Sequence, residues 1–184
     1  EITLNFTNNT DVDTTIHSHG VRLENQFDGV PDVTQKAVKP GESFAYKIKF
    51  PDEGMYWYHP HMREDMQQEL GLYGNIFVEA ANDLNVADKD VILILDDIKI
   101  FNNDVYPFKN EANHALMGRF GNVLLVNGEP NYKLDMPQNS IVRFYLTNAA
   151  SARPFKVSIE GHELKLIGSD AGKYEREALV DNVI

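Results

Sequence analysis

His17-Ser18-His19-Gly20 and Tyr58-His59-Pro60-His61 are two His-x-His pairs, the residue type and spacing in this chain best suited to holding metal ions. In a β-strand alternate side chains share a face, and a rise of about 3.3 Å per residue sets the two imidazoles of a pair roughly 7 Å apart. That separation is long for chelating one ion but suits two neighbouring ions, so the pattern points to a metal cluster. Imidazole favours zinc, copper, iron and nickel, whereas calcium and magnesium would ask for carboxylates at these positions. Copper or zinc is therefore expected. A single His-x-His on a solvated strand would mean little; two within 45 residues, each with a Gly or Pro fixing the backbone beside it, mean more.

The elements that must position these pairs read as strands. Asp13-Thr14-Thr15-Ile16 leads into the first pair and Met55-Tyr56-Trp57-Tyr58 into the second. Ile2–Phe6 alternates, and further strands are expected over Phe44–Phe50, Met55–Tyr58 and Asn75–Glu79. Residues 80–89 are polar and turn-like. A second set follows over Asp90–Leu95, Val123–Asn127, Ser140–Thr147, Phe155–Ile159 and Glu163–Ile167, separated by Gly, Asn and Pro clusters. Short strands with regular turns imply an all-β fold of two β-sandwich domains: residues 1–80 carrying the histidine pairs, a linker over 81–89, and a second domain over 90–184. The segment from Phe101 to Phe120 is expected to be a long loop.

Thr15-Ile16-His17-Ser18-His19-Gly20, Asp28-Gly29-Val30-Pro31, Thr34-Gln35, Pro40-Gly41, Gly54-Met55-Tyr56-Trp57-Tyr58-His59-Pro60-His61 and Gly71-Leu72-Tyr73-Gly74 occur in that order. Together they resemble the first domain of a laccase-like multicopper oxidase, in a match running from Ile2 to Val78. Val126-Asn127-Gly128-Glu129-Pro130, Arg143-Phe144-Tyr145-Leu146-Thr147-Asn148 and Gly161-His162-Glu163 resemble the middle domain of three-domain members. The resemblance implies two cupredoxin-like, Greek-key domains. It also implies that His17 binds the type 2 copper, that His19 and His59 share one type 3 copper, and that His61 binds the other. Asp28 matches the family's acidic residue that relays protons to the cluster, although Asp28-Gly29 is also a turn pair. Dioxygen and a small reductant, phenolic, aromatic amine or metal ion, are the implied partners, in a periplasmic or extracellular setting.

The sequence departs from the family by containing no cysteine. A type 1 copper needs a Cys thiolate with two His, and in the family those residues lie in the last domain with the other half of the cluster's histidines. The chain opens directly in a strand at Glu1 and ends at Ile184 where a middle domain would continue. The expectation is therefore a stretch of a longer enzyme, both domains incomplete, with a C-terminal cupredoxin domain missing and the type 1 site absent. Alone it should be inactive. A different reading makes it a copper-binding module that pairs with a separate Cys-containing chain. A zinc hydrolase would add acidic ligands close to the pairs, whereas His19 is followed by Gly20-Val21-Arg22.

Other candidates carry less. Met62 and Met66 follow the second pair, and thioethers bind cuprous ions, but five Met in the chain form no cluster and gap-filling in a core is the plainer role. Glu64 and Asp65 either meet solvent or orient a neighbouring imidazole through its second nitrogen. His114 is expected at the surface, and His162, between strands, is expected to fix a turn. Asn5-Phe6-Thr7 and Asn8-Asn9-Thr10 fit the glycosylation sequon. A net charge of −11 argues against a nucleic-acid partner. At 42% apolar, with no apolar run near about 18 residues, the chain can build cores but offers no membrane-spanning helix.

Overall fold

A computed structural model describes residues 1–81, 87–109, 112–170 and 172–184. The chain divides into two compact units, one of Glu1–Ala80 with Asp170 and Gly172, the other of Ala81–Ser169 and Lys173–Ile184.

The first unit contains β1 (Ile2–Thr7), β2 (His17–His19), β3 (Ser43–Ile48), β4 (Gly54–His59), the short helix α1 (Glu64–Gln67) and β5 (Gly74–Val78). β1 pairs antiparallel with β3, and β4 lies between β2 and β5 in a second antiparallel sheet. Period-two patterning explains the first sheet: Leu4 opposes Tyr46 and Phe6 opposes Phe44, so one face of both strands turns inward. Val38, Tyr46, Ile48 and Tyr56 form the buried apolar centre, drawn from both sheets and the loop between them. Asn8 is completely buried and donates through Nδ2 to the carbonyls of Val12, at 2.7 Å, and Val38, at 2.8 Å. It thereby closes the loops on either side of β2, and its burial withdraws the second sequon's Asn from the surface.

The second unit contains β6 (Lys89–Ile98), β7 (Ile100–Phe101), β8 (Asp104–Val105), the helix α2 (Ala112–Met117), β9 (Val123–Val126), β10 (Val142–Asn148), β11 (Leu164–Ser169) and β12 (Gly172–Val180). β6 is its central strand, parallel to β10 and antiparallel to β9. Val91, Leu95 and Ala149 are buried there. The fully buried Asp97 carboxylate accepts from Arg153 Nε at 2.5 Å and from the Gly121 amide at 2.8 Å, which ties β6 to two loops.

Several expectations change. Asp13–Ile16 is not a strand: Thr14 makes an isolated bridge to Val38, and the first histidine pair is itself β2. The threonine side chains point to other partners instead, Thr14 to Gln67 and Thr15 to the His61 amide. Phe155–Ile159 forms only isolated bridges at Val157 and Ile159, since Pro154 brings no amide and Val183 offers one bridging residue rather than a partner strand. The expected loop after Phe101 contains the β7–β8 hairpin, turned by Asn102 and Asn103 at φ 53° and 61°, and α2. Lys89, placed in the linker, is already β6; residues 82–86 of that linker lie outside the described residues. β12 was not anticipated, because its first eight residues are exposed and show no inward face.

Candidate metal centre

The ladder between β2 and β4 creates the site. His17 stands opposite His59, Ser18 opposite Tyr58 and His19 opposite Trp57. His61 follows β4 after Pro60, and its amide donates to Thr15 Oγ1 at 3.3 Å, which turns it back toward β2. All four imidazoles meet: the His17 ring centre is 5.7 Å from His19, 5.3 Å from His59 and 4.4 Å from His61. Side chains of the first pair thus lean closer than ideal strand spacing allows. Donor atoms of His17, His59 and His61 lie within 4.8 Å of one another.

In three of the rings Nδ1 meets an oxygen acceptor. His17 Nδ1 is 2.7 Å from the Asp28 carbonyl and 3.4 Å from the Asp28 carboxylate. His59 Nδ1 is 3.0 Å from the Pro60 carbonyl, and His61 Nδ1 meets the Glu64 carboxylate. Each partner is an acceptor, so Nδ1 carries the proton when the ring is neutral, and Nε2 is left with its lone pair. His19 differs, its Nδ1 lying 3.2 Å from His59 Nε2. Two nitrogens that bind one tetrahedral ion at about 2.0–2.1 Å stand roughly 3.3 Å apart, so this pair already has the spacing of joint ligands.

Electrostatics favours the neutral form that binds metal. Burial lowers the His59 pKa below its ordinary value, opposed by the Pro60 carbonyl and reinforced by His17, His61 and His19. Burial also lowers His19, helped by His17 and His61, while the Asp170 carboxylate pulls the other way. Trp57 packs on the same cluster, its ring 4.4 Å from His59 and 5.0 Å from His19 with tilts of only 30° and 32°.

Local backbone chemistry sustains this arrangement. Gly29 has φ 77°, and a Cβ there would fall 2.0 Å from the Ile16 carbonyl oxygen, so only glycine lets the Asp28 loop press against the start of β2. A Cβ on Gly74 would meet the Tyr58 hydroxyl at 2.4 Å, which keeps β5 close against β4.

All four expected histidines are gathered, and Asp28 lies beside His17 by both its carbonyl and its carboxylate. Glu64 takes the orienting alternative offered for it, while Asp65 pairs with exposed Arg63. His114 belongs to the second unit, half-buried with its Nε2 2.9 Å from Lys99 Nζ rather than free at the surface. His162 is exposed, its Nδ1 3.0 Å from the Glu160 carbonyl in a tight turn. Trp57, Thr15 and the Pro60 carbonyl escaped the sequence reading: a main-chain acceptor leaves no mark in a sequence, and Trp57 reads simply as a strand aromatic.

Comparison with known proteins agrees with this chemistry. Two family models, each described as multicopper oxidase, match residues 1–83 and 90–183. A laccase from Arthroderma benhamiae is 31% identical over 85% of this chain and 26% of its own length. A multicopper oxidase from Mycobacterium tuberculosis is 26% identical over 92% of this chain and 39% of its own. The crystal structure of a multi-copper oxidase from Pseudomonas thermotolerans superposes with a TM-score of 0.87 at 31% identity, covering 98% of this chain and 46% of that one. The chain therefore spans less than half the length of these relatives, and its nearly all-β fold is cupredoxin-like as theirs is. With matched models over both units and a shared fold along nearly the whole sequence, the chain belongs to the multicopper oxidase family.

Proposed function

We propose that this chain supplies one half of a trinuclear copper centre in an enzyme that couples one-electron oxidation of a small reductant to the four-electron reduction of dioxygen to water. The observation that carries the reading is the convergence of four imidazoles, three of them with Nδ1 engaged by an oxygen acceptor, which leaves the lone pair on Nε2. That all-nitrogen donor set fits copper. His17 is assigned to the type 2 ion, His19 and His59 jointly to one type 3 ion, and His61 to the other. Copper bound there supplies the redox chemistry.

The chain's own residues hold and exclude. His59, buried and central, is the ligand best shielded from competing protons. Asp28 is the proposed proton carrier: its carboxylate is 3.4 Å from His17 Nδ1 and its side chain is 34% exposed, so it lies between the outer nitrogen of His17 and water. Reducing one dioxygen consumes four protons, and a carboxylate in that place can deliver them singly. The electron-entry copper and the remaining histidines are assigned to a further cupredoxin domain of the enzyme, because this chain contains no cysteine. The reductant is a phenol, an aromatic amine or a metal ion, and the enzyme works in the periplasm or outside the cell.

The test is dioxygen uptake coupled to oxidation of a phenolic reductant. The intact, copper-loaded enzyme should turn over, His59→Ala should lose turnover, and the 184-residue chain with excess copper should show none. Equal activity in the His59→Ala enzyme would contradict the assignment, and sustained turnover by the isolated chain would contradict the division of the centre.

A further inference from the structure

We infer that Glu64 is a positioning residue for the ion bound by His61, acting through the imidazole's far nitrogen. This rests on the copper reading above and goes beyond it, since Glu64 is not itself a ligand.

His17 and His59 rest on backbone carbonyls, those of Asp28 and Pro60. His61 rests directly on a side-chain carboxylate, the Oε1 of Glu64, three residues along the chain, whereas the Asp28 carboxylate stands 3.4 Å from His17 Nδ1, farther than the Asp28 carbonyl at 2.7 Å. A carboxylate on the second nitrogen of a ligating imidazole fixes ring orientation and enriches the ligating nitrogen as a donor, and loss of such partners typically costs about 10–100-fold in metal affinity. The His61 side chain is 27% exposed, so without that contact its ring is free to turn about χ2 and carry Nε2 away from the cluster.

The surrounding chain is built to hold the carboxylate in place. Arg63 adopts the left-handed conformation, φ 43°, and so starts α1 immediately after the second histidine pair. Gln67, one turn further along α1 and almost fully buried, accepts from Thr14 Oγ1 at 2.6 Å and donates to the Asp13 carbonyl at 3.0 Å. Helix α1 is thereby stapled to the segment that leads into His17, and Glu64 and the opposite ligand strand are referenced to the same backbone. Asp65, beside Glu64 in the same turn, is directed to Arg63 instead, with Arg63 Nε 2.8 Å from its Oδ1. The selectivity of the contact therefore belongs to one carboxylate of the two.

The experiment is competitive copper titration of the intact protein against a chelator of known affinity, with ultraviolet–visible absorption of the bound Cu(II), for wild type, Glu64→Ala, Glu64→Gln and Asp65→Asn. Glu64→Ala should weaken copper binding by about 10–100-fold at the weakest site and alter the Cu(II) spectrum. Glu64→Gln, which still accepts a hydrogen bond through Oε1 but bears no charge, should fall between wild type and Glu64→Ala; Asp65→Asn should match wild type. Circular dichroism of the metal-free proteins must coincide, and if Glu64→Ala fails to fold then the comparison of Glu64→Gln with Asp65→Asn decides. Wild-type affinity and spectrum in Glu64→Ala overturn the inference, as does a Glu64→Gln protein no tighter than Glu64→Ala, or equal weakening by Asp65→Asn. Failure of the wild type to bind copper overturns the underlying reading before any variant is compared.

Discussion

His17 and His59 face each other across the β2–β4 ladder with ring centres 5.3 Å apart. Strand register, and not loop conformation, therefore sets the central distance of the site. A slip of one residue would turn one of the two rings to the opposite face of the sheet, so whatever pins β2 also pins the histidine cluster. Gly29 is such a pin, for its α-carbon lies against the Ile16 carbonyl just before β2.

Gly29→Ala should accordingly strain both β2 and the Asp28 loop. The left-handed backbone alone costs about 1–2 kcal/mol for a residue with a Cβ, and the added carbon also needs the Ile16 carbonyl to move. Urea unfolding should show a loss of at least about that size, with a parallel fall in copper affinity. Wild-type stability together with wild-type copper binding would show that the loop is not what fixes β2.

Trp57 is the chain's single tryptophan and lies on the His19 and His59 rings. Its emission should be quenched as Cu(II) enters the site, with a midpoint equal to that of copper binding. Replacing His59 by alanine should remove most of the saturable quenching. Unaltered emission through a complete copper titration would place the metal elsewhere.

Tyr46 couples the core to the site, since its hydroxyl oxygen accepts from the Ile16 amide at 3.0 Å. Burial raises its pKa above the ordinary tyrosine value of 10.0, and the Ile16 amide only partly offsets this. The folded chain thus keeps a proton that the unfolded chain releases near pH 10, and the stability this represents is present below that pH and lost as pH rises beyond it. Tyr46→Phe should cost about 1–3 kcal/mol at neutral pH by stranding the part-buried Ile16 amide, and should flatten the decline of stability above pH 10. An unchanged alkaline limb in denaturation measured from pH 8 to 11 would remove Tyr46 from this role.

The sequence announced the four clustered histidines and most of the strands for a physical reason: buried strands and His-x-His pairs both depend on side chains with strong type preferences. His17, His19, His59 and His61 came with their spacing, and Phe44, Tyr46 and Ile48 with their alternation. What it hid depends on main-chain groups or on solvent. The carbonyls of Asp28 and Pro60 fix two rings without any residue type being required, β12 is exposed along most of its length and so lacks an inward pattern, and Phe155–Ile159 alternates without a strand to pair with. Glu64 was visible only as one of two adjacent carboxylates, and the left-handed backbone at Arg63 just before them is a conformation that an arginine does not announce.

The most direct test of the central claim is copper content per chain, by mass spectrometry of the intact protein under non-denaturing conditions, for wild type and for each of His17→Ala, His19→Ala, His59→Ala and His61→Ala. Copper held by these four residues predicts that every variant retains less than wild type, and that His59→Ala, which removes the buried imidazole common to the shared pair and the wider group, loses most. Full copper retention in all four variants would contradict it.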